Sequence, residues 1–144
     1  MISIDTNVLL RYLLQDDVKQ SPKVNKILSG EEKTLITDIV LAETVWTLKG
    51  KKYKLSKEQL LDVIEQLFKE PNLVFEDGQT VWRALNTFRE TKPVKVGSKK
   101  KDADFPDALI LEKSKYESLK KAERFSGMYS FDVAAQQIED VNKP

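Results

Sequence analysis

The chain contains no cysteine and no histidine among its 144 residues. The absence of cysteine excludes disulfides, thiolate zinc sites and cysteine nucleophiles. The absence of histidine removes the commonest general base, the imidazole metal ligand and every catalytic triad that depends on histidine. If the chain is a hydrolase, it must therefore use carboxylates, lysines, tyrosines or water activated by a metal.

Long apolar stretches are also missing. No apolar run reaches the roughly 18 residues of a membrane span, and a carboxylate at Asp5 interrupts any signal-peptide pattern at the N-terminus. The composition is 40% hydrophobic and 33% charged, with a net charge of +1. We therefore expect one globular domain spanning residues 1–144, with no membrane partner and a cytoplasmic location.

Strand and helix patterns alternate along the chain. Ser21 with Pro22 predicts one helix start and Ser56 with Gln59 another, while Gly50 predicts a helix end. The pattern predicts strands at 2–5, 34–37, 73–75, 127–131 and, weakly, 138–141. It predicts helices at 7–15, 22–29, 39–49, 56–69, 79–90 and 105–122, with Gly78 directly before the fifth. Such alternation favours parallel strand pairing and an α/β sandwich.

A basic stretch interrupts this pattern. Five lysines and no acid lie between Thr91 and Lys101, and three aspartates follow within the next six residues. A basic run of this kind is usually a solvated loop. Beside clustered acids, it is also suited to hold a polyanion near a cation site.

Asp5 and Glu43 are carboxylates in apolar surroundings. Asp5 ends the first predicted strand, so it is either a cap of the next helix or a ligand at the carboxyl end of a strand. Glu43 has Ile39, Val40 and Trp46 among its helical neighbours. On that face it would be mostly buried and would need a partner or a metal. The alternative is a position at the margin of the apolar stripe, or a pair with lysine or arginine.

Three more acids lie near predicted element ends. Asp104 and Asp107 share one face of a helix start, where Pro106 fits the first turn and both acids suit the N-terminus. Asp132 follows a predicted buried strand, where a cap or turn role is the alternative. A parallel sheet brings such ends together, and close like charges need protons or cations. Oxygen ligands without histidine or cysteine suit Mg²⁺ or Mn²⁺.

Four segments resemble the signature segments of the PIN domain, in particular those of the VapC-type toxins of prokaryotic toxin–antitoxin pairs. They read IDTNVLLRYLL, LAETVWTL, DADFPDALIL and YSFD, and they span nearly the whole chain. The resemblance implies a three-layer α/β/α sandwich with a central, mainly parallel sheet. It also implies an endoribonuclease that depends on Mg²⁺ or Mn²⁺.

The resemblance also assigns roles to residues. The catalytic, metal-binding acids fall on Asp5, Glu43, Asp107 and Asp132, with Asp104 as an accessory metal ligand one helical turn before Asp107. The metal would activate a water for attack on an RNA phosphodiester bond.

Other positions surround these acids. Thr6 and Ser130 would orient the metal ligands or their waters by hydrogen bonds, without binding the metal themselves. Asn7 is expected to cap the first helix. Candidate phosphate contacts are the basic residues Arg11, Lys99, Lys100 and Lys101.

Partners follow mainly from the resemblance. We expect an RNA substrate, a homodimer and a small cognate antitoxin protein. The apolar residues Trp46, Leu48, Tyr53, Leu60 and Leu61 favour the homodimer because they exceed what one small sheet face needs. The alternative is that they all belong to the core of one chain.

Two other functions stay open. One is a nucleic-acid-binding module with an inert acidic pocket. The other is a Mg²⁺-dependent phosphatase, which would need a second acid at position 7, where this chain has Asn7.

Overall fold

The computed structural model describes residues 1–144 as an α/β chain. The strands are β1 (Ile2–Ser3), β2 (Thr34–Ile36), β3 (Leu73–Phe75), β4 (Val94–Val96), β5 (Lys99–Lys101), β6 (Met128–Tyr129) and β7 (Val141–Asn142). The helices are α1 (Thr6–Leu14), α2 (Gln20–Leu28), α3 (Asp38–Lys49), α4 (Lys57–Lys69), α5 (Gly78–Glu90) and α6 (Phe105–Lys120), with a 3-10 helix at Ala135–Gln137. The predicted α/β class with mainly parallel pairing is confirmed. None of the helices has the length and apolar character required to cross a membrane.

The chain divides into two compact units, Met1–Gly78 and Gln79–Pro144. The first unit contains a parallel sheet in the order β1-β2-β3, with Ile2 opposite Thr34 and Thr34 opposite Leu73. α1 packs against both α2 and α3. The apolar side chains buried in these elements include Leu9, Leu10, Ile36, Leu41, Val45, Leu48, Leu60 and Ile64.

Local sequence signals set most helix ends of the first unit. Ser56 and Gln59 form the predicted capping box at the start of α4, and Gly50 follows the end of α3. Thr37 caps α3 by accepting a hydrogen bond from the backbone N–H of Val40 at 3.3 Å. Each cap satisfies a backbone group that the helix itself leaves unpaired.

The start of α2 differs from the prediction. Ser21 is not the cap: it is buried inside the helix, and its hydroxyl donates to the Arg11 carbonyl oxygen at 2.9 Å. The capping carboxylate is Asp17, which accepts from the backbone N–H groups of Lys19 and Gln20 at 2.9 and 2.7 Å. These two hydrogen bonds hold the pKa of Asp17 below its usual value.

The apolar residues that favoured a homodimer have different environments. Leu48, Leu60 and Leu61 are buried in the core, as the alternative required. Trp46 differs, with 65% of its surface exposed. The three leucines therefore give no support to a dimer, and Trp46 keeps an unexplained apolar surface.

The second unit contains α5, α6 and a short parallel pair, β6 and β7, with Met128 opposite Val141. The predicted strand 127–131 is limited to Met128–Tyr129, and the predicted strand 138–141 is replaced by Val141–Asn142. A 3-10 helix precedes β7. The core of this unit contains the buried residues Ala103, Leu111, Ala134, Ala135, Ile138 and Val141.

The basic stretch is a β-hairpin and not the predicted loop. β4 and β5 pair antiparallel, with Val94 opposite Lys101 and Val96 opposite Lys99. Gly97 lies in the turn with φ +64°, a conformation that glycine adopts without strain. We call residues 94–101 the lysine hairpin. Val94 anchors it by packing against the core of the second unit.

Candidate active site

Asp5 lies two residues after β1 and forms the N-cap of α1. Its Oδ1 accepts a hydrogen bond from the backbone N–H of Val8 at 2.9 Å, and the residue is exposed. Asn7 is exposed within the first turn, so the cap of this helix is Asp5 and not Asn7. The cap uses one carboxylate oxygen of Asp5 and leaves the other Oδ outside that hydrogen bond.

Thr6 connects the start of α1 to the middle of α3. Its hydroxyl donates to Oε2 of Glu43 at 2.6 Å. Because Thr6 follows Asp5 directly, this contact brings the Glu43 carboxylate to the same end of α1 as Asp5. The residues that hold these two acids are a hydroxyl and a main-chain N–H, and neither is a cation.

Glu43 is exposed, whereas the sequence pattern predicted that it would be mostly buried. The buried face of α3 contains Leu41, Thr44, Val45 and Leu48. Ile39 and Trp46, its apolar neighbours one turn away, are 71% and 65% exposed. The prediction was wrong because α3 carries apolar residues around most of its circumference, so periodicity did not identify the inward face.

Arg11 was a candidate phosphate contact, and the structure places it in a local ion pair. Its Nη1 lies 2.6 Å from Oδ1 of Asp16, and its side chain is only 15% exposed. A hydrogen bond with Tyr53 raises the pKa of Arg11 further above its usual value. These contacts hold the Arg11 side chain within the first unit, so it is a weaker candidate for a phosphate contact than the exposed lysines.

Asp104 and Asp107 lie at the start of α6 in the second unit. Asp104 is the N-cap, and Oδ2 of Asp107 accepts from the backbone N–H of Asp104 at 3.2 Å. Pro106 occupies the first turn. Helix capping is thus one role of this pair, as the sequence alternative stated.

Asp132 has partners for both carboxylate oxygens. Oδ1 accepts from the backbone N–H groups of Ala134 and Ala135 at 2.8 and 3.0 Å. Oδ2 lies 2.8 Å from Nζ of Lys101. The hydroxyl oxygen of Ser130 accepts from the Asp132 backbone N–H at 3.0 Å, so Ser130 orders the turn around this acid.

The ion pair between Lys101 and Asp132 changes the protonation of both groups. The hydrogen bond from Lys101 holds the pKa of Asp132 below its usual value, with the backbone hydrogen bonds adding to the effect. The same contact raises the pKa of Lys101. A lysine ammonium therefore lies at Asp132, where the sequence predicts a metal ion. Lys99, Lys100 and Lys101 are all exposed, and Lys101 differs from the other two by its ion pair with Asp132.

Sequence reasoning missed two features of this region. The ion pair between Lys101 and Asp132 joins residues 31 positions apart, so no local sequence pattern predicts it. Tyr129 and Phe131 were assigned to a buried strand, but they are 68% and 82% exposed. The alternation of apolar and polar residues from Tyr129 to Val133 was the available signal.

The acids differ in how well they suit a divalent cation. No group of three or more carboxylates is arranged in the structure to hold a metal ion. The chemistry of the donors nevertheless fits Mg²⁺ or Mn²⁺ at Asp5 and Glu43, where hard oxygen donors have no competing cation. Asp132 fits less well, because Lys101 and two backbone N–H groups use its oxygens.

Comparison with known proteins gives one family. No curated protein matches the chain. The family model of the PIN domain matches residues 2–125, which include Asp5, Glu43, Asp104 and Asp107 but not Asp132. Since the match covers most of its length, the chain belongs to the PIN domain family, whose members are generally metal-dependent nucleases.

Proposed function

We propose that the chain is a Mg²⁺- or Mn²⁺-dependent endoribonuclease of the cytoplasm and the toxin of a toxin–antitoxin pair. The observation that carries the proposal is the hydrogen bond from Thr6 to Glu43, directly after Asp5. It brings two carboxylates to one end of α1 without a lysine or arginine to neutralise them. Two negative charges at one helix end favour the binding of a cation.

Asp5 and Glu43 are the metal ligands that the proposal favours most, with Asp107 as the next candidate. A divalent ion held by these residues would supply an activated water and would neutralise charge that develops on the phosphate. Thr6 fixes the orientation of the Glu43 carboxylate, and the Val8 N–H fixes that of Asp5. Asp104 and Asp132 are kept as accessory ligands. For Asp132 to bind the metal, the ion pair between Lys101 and Oδ2 of Asp132 must break.

A metal titration followed by an RNA cleavage assay tests this function. We expect the melting temperature to rise in millimolar Mn²⁺ relative to EDTA. Binding to the native state alone adds about 2.7 kcal/mol to the unfolding free energy at a ligand concentration of about a hundred times Kd. Cleavage of total RNA should require the metal. Equal melting temperatures and no cleavage in either buffer would contradict the proposal.

The same assay separates the two alternatives. A nucleic-acid-binding module with an inert pocket would bind RNA without cutting it. A phosphatase would release phosphate from a phosphomonoester, but Asn7 stands at the position where that class needs its second acid. The nuclease proposal expects internal cuts in RNA and no release of phosphate from monoesters.

A small antitoxin protein is the proposed partner. Ile39 and Trp46 lie on α3 about one turn on either side of Glu43 and are 71% and 65% exposed. A protein that buries these two side chains would cover Glu43 as well, which is how an inhibitor would act. Substituting Trp46→Ala should weaken inhibition by the antitoxin and leave the fold intact.

A homodimer and a single domain formed by both units remain proposals that rest on the family resemblance. The family match extends from residue 2 to residue 125 and so includes sequence from both units. Sedimentation at micromolar concentration should give a dimer. A single monomeric species would remove that proposal.

A further inference from the structure

Three exposed apolar side chains lie close in sequence to Asp132 in the second unit. Tyr129, Phe131 and Val133 are 68%, 82% and 46% exposed, while Ser130 and Asp132 between them are half-buried. We call residues 129–133 the aromatic segment. Single exposed apolar residues are ordinary, but three exposed apolar residues within five positions form an apolar surface that another molecule can cover.

The backbone of the aromatic segment is fixed by hydrogen bonds. The N–H of Ser130 donates to the carbonyl oxygen of Asn142 at 3.0 Å, and Nε2 of Gln136 donates to the Ser130 carbonyl oxygen at 2.8 Å. Asp132 accepts from two further backbone N–H groups. Phe131 is thus presented to solvent on an ordered backbone, and a ligand would lose little entropy by ordering it.

The lysine hairpin lies against the same segment. Nζ of Lys101 contacts Oδ2 of Asp132, the residue after Phe131, at 2.8 Å. In the hairpin, Lys95 lies directly opposite Lys100 on one face, and the exposed Lys99 lies on the other face, which it shares with Lys101. Like charges directly opposite each other destabilise a strand pair. A polyanion bound at the hairpin would relieve this repulsion.

We propose that the lysine hairpin and the aromatic segment together bind single-stranded RNA, with a base stacked on Phe131 and phosphates held by Lys95, Lys99 and Lys100 along the hairpin. Aromatic rings beside a positive surface are the arrangement by which proteins bind single strands. A duplex keeps its bases paired and cannot stack them on Phe131. A second copy of the chain is a weaker candidate for the ligand, because its own lysine hairpin would repel the lysine hairpin of the first copy. Only the choice of RNA rests on the proposed nuclease function.

RNA affinity in the absence of metal tests the proposal. The probe is a fluorescein-labelled 12-nucleotide single strand, measured by anisotropy in EDTA beside a duplex of the same length. We expect Phe131→Leu to weaken single-strand binding about tenfold, which corresponds to 1.4 kcal/mol, and to leave duplex binding unchanged. Phe131→Trp should keep the wild-type affinity because it keeps an aromatic face.

The lysines are tested by the salt dependence of the same binding. The double variant Lys99→Gln, Lys100→Gln should reduce the slope of log affinity against log salt by about 1.4, at about 0.7 per phosphate contact. The matched control is Lys23→Gln, Lys26→Gln, which removes the same charge from exposed positions of α2. It should leave the slope unchanged.

Several results would overturn the proposal. For Phe131, these are an RNA affinity that Phe131→Leu leaves unchanged, or equal losses of affinity in Phe131→Leu and Phe131→Trp. For the ligand, it is equal affinity for duplex and single strand. For the lysines, it is an equal salt slope in the two double variants. A Phe131→Leu variant that loses a dimer in sedimentation but keeps its RNA affinity would assign the face to a second copy. Because no metal is present, a failure of the nuclease proposal leaves these readouts intact.

Discussion

The acids of the two units are held in different ways, although they occupy similar places in the sequence. Asp5 and Asp132 both come shortly after a short strand, and both accept backbone hydrogen bonds at the start of a helix or 3-10 helix. Asp132 also has an ammonium partner in Lys101, whereas the acids around Thr6 have a hydroxyl. The charge at Asp132 is compensated within the chain, and the charge at Asp5 and Glu43 is not.

We propose that this difference separates the structural carboxylate Asp132 from the metal-binding carboxylates Asp5 and Glu43. A carboxylate that is compensated within the chain contributes to the stability of its own unit. Two carboxylates at one helix end without a cation repel each other, and a bound cation removes that repulsion. The predictions below test this contrast by removing charge or contacts on each side of it.

The largest effect is expected for Asp5→Asn. Asparagine caps a helix about as well as aspartate, so the melting temperature in EDTA should stay the same or rise slightly. Cleavage should fall by more than the roughly 100-fold that loss of a supporting contact causes, because a ligand itself is lost. RNA cleavage and thermal melts measure the two effects.

The control for this change is Asp62→Asn, the same substitution at an exposed position of α4. It should change neither cleavage nor melting. If Asp5→Asn cleaves RNA at the wild-type rate, Asp5 is only a cap and the nuclease assignment loses its main residue.

A smaller loss is expected for Thr6→Val. Valine has nearly the shape of threonine but cannot donate to Glu43 Oε2, so the carboxylate loses its fixed orientation. We expect cleavage or Mn²⁺ affinity to fall about tenfold, and Thr6→Ser to retain most of both. Equal activity in the valine and serine variants would show that the hydroxyl has no part in the site.

For Asp132→Asn we expect a change in stability rather than in the Mn²⁺ response. The substitution removes the charge that pairs with Lys101, while the amide oxygen still accepts from Ala134 and Ala135. The unfolding free energy should fall by about 1 kcal/mol. Denaturant unfolding in EDTA measures it. A loss of the Mn²⁺-induced rise in melting temperature would instead place Asp132 among the metal ligands.

The smallest effect is the pH dependence of stability that the Lys101–Asp132 pair causes. It is measured as the unfolding free energy of the wild type minus that of Lys101→Gln at each pH. The lowered pKa of Asp132 makes its contribution present above the ordinary value of 3.8 and lost as pH falls through the folded value. The raised pKa of Lys101 makes its contribution present below 10.5 and lost as pH rises through its folded value. Between these limits we expect a difference below about 1 kcal/mol, because the pair is partly exposed. The exposed Lys100→Gln is the control and should show no such window.

The sequence was sufficient for features that depend on neighbouring residues. The capping box of Ser56 and Gln59, the end of α3 at Gly50 and the strand Leu73–Phe75 occur as predicted. Each depends on backbone groups within a few residues, so the local chain contains the necessary information. The α/β class follows from the alternation of these elements.

Features that depend on distant residues required the tertiary structure. The lysine hairpin forms where a loop was expected, since Val94 packs against a core contributed by residues further along the chain. Glu43 is exposed because packing selected one of several apolar faces of α3.

The candidate site also has features that the sequence predicts and features that only the tertiary structure shows. The sequence pattern and the family resemblance identify the acids. The sequence does not show that Lys101 reaches across 31 positions to Asp132, or that Thr6 reaches across 37 to Glu43. A carboxylate has the same chemistry at every position, and whether it is neutralised depends on which charge the folded chain brings within about 3–4 Å of it.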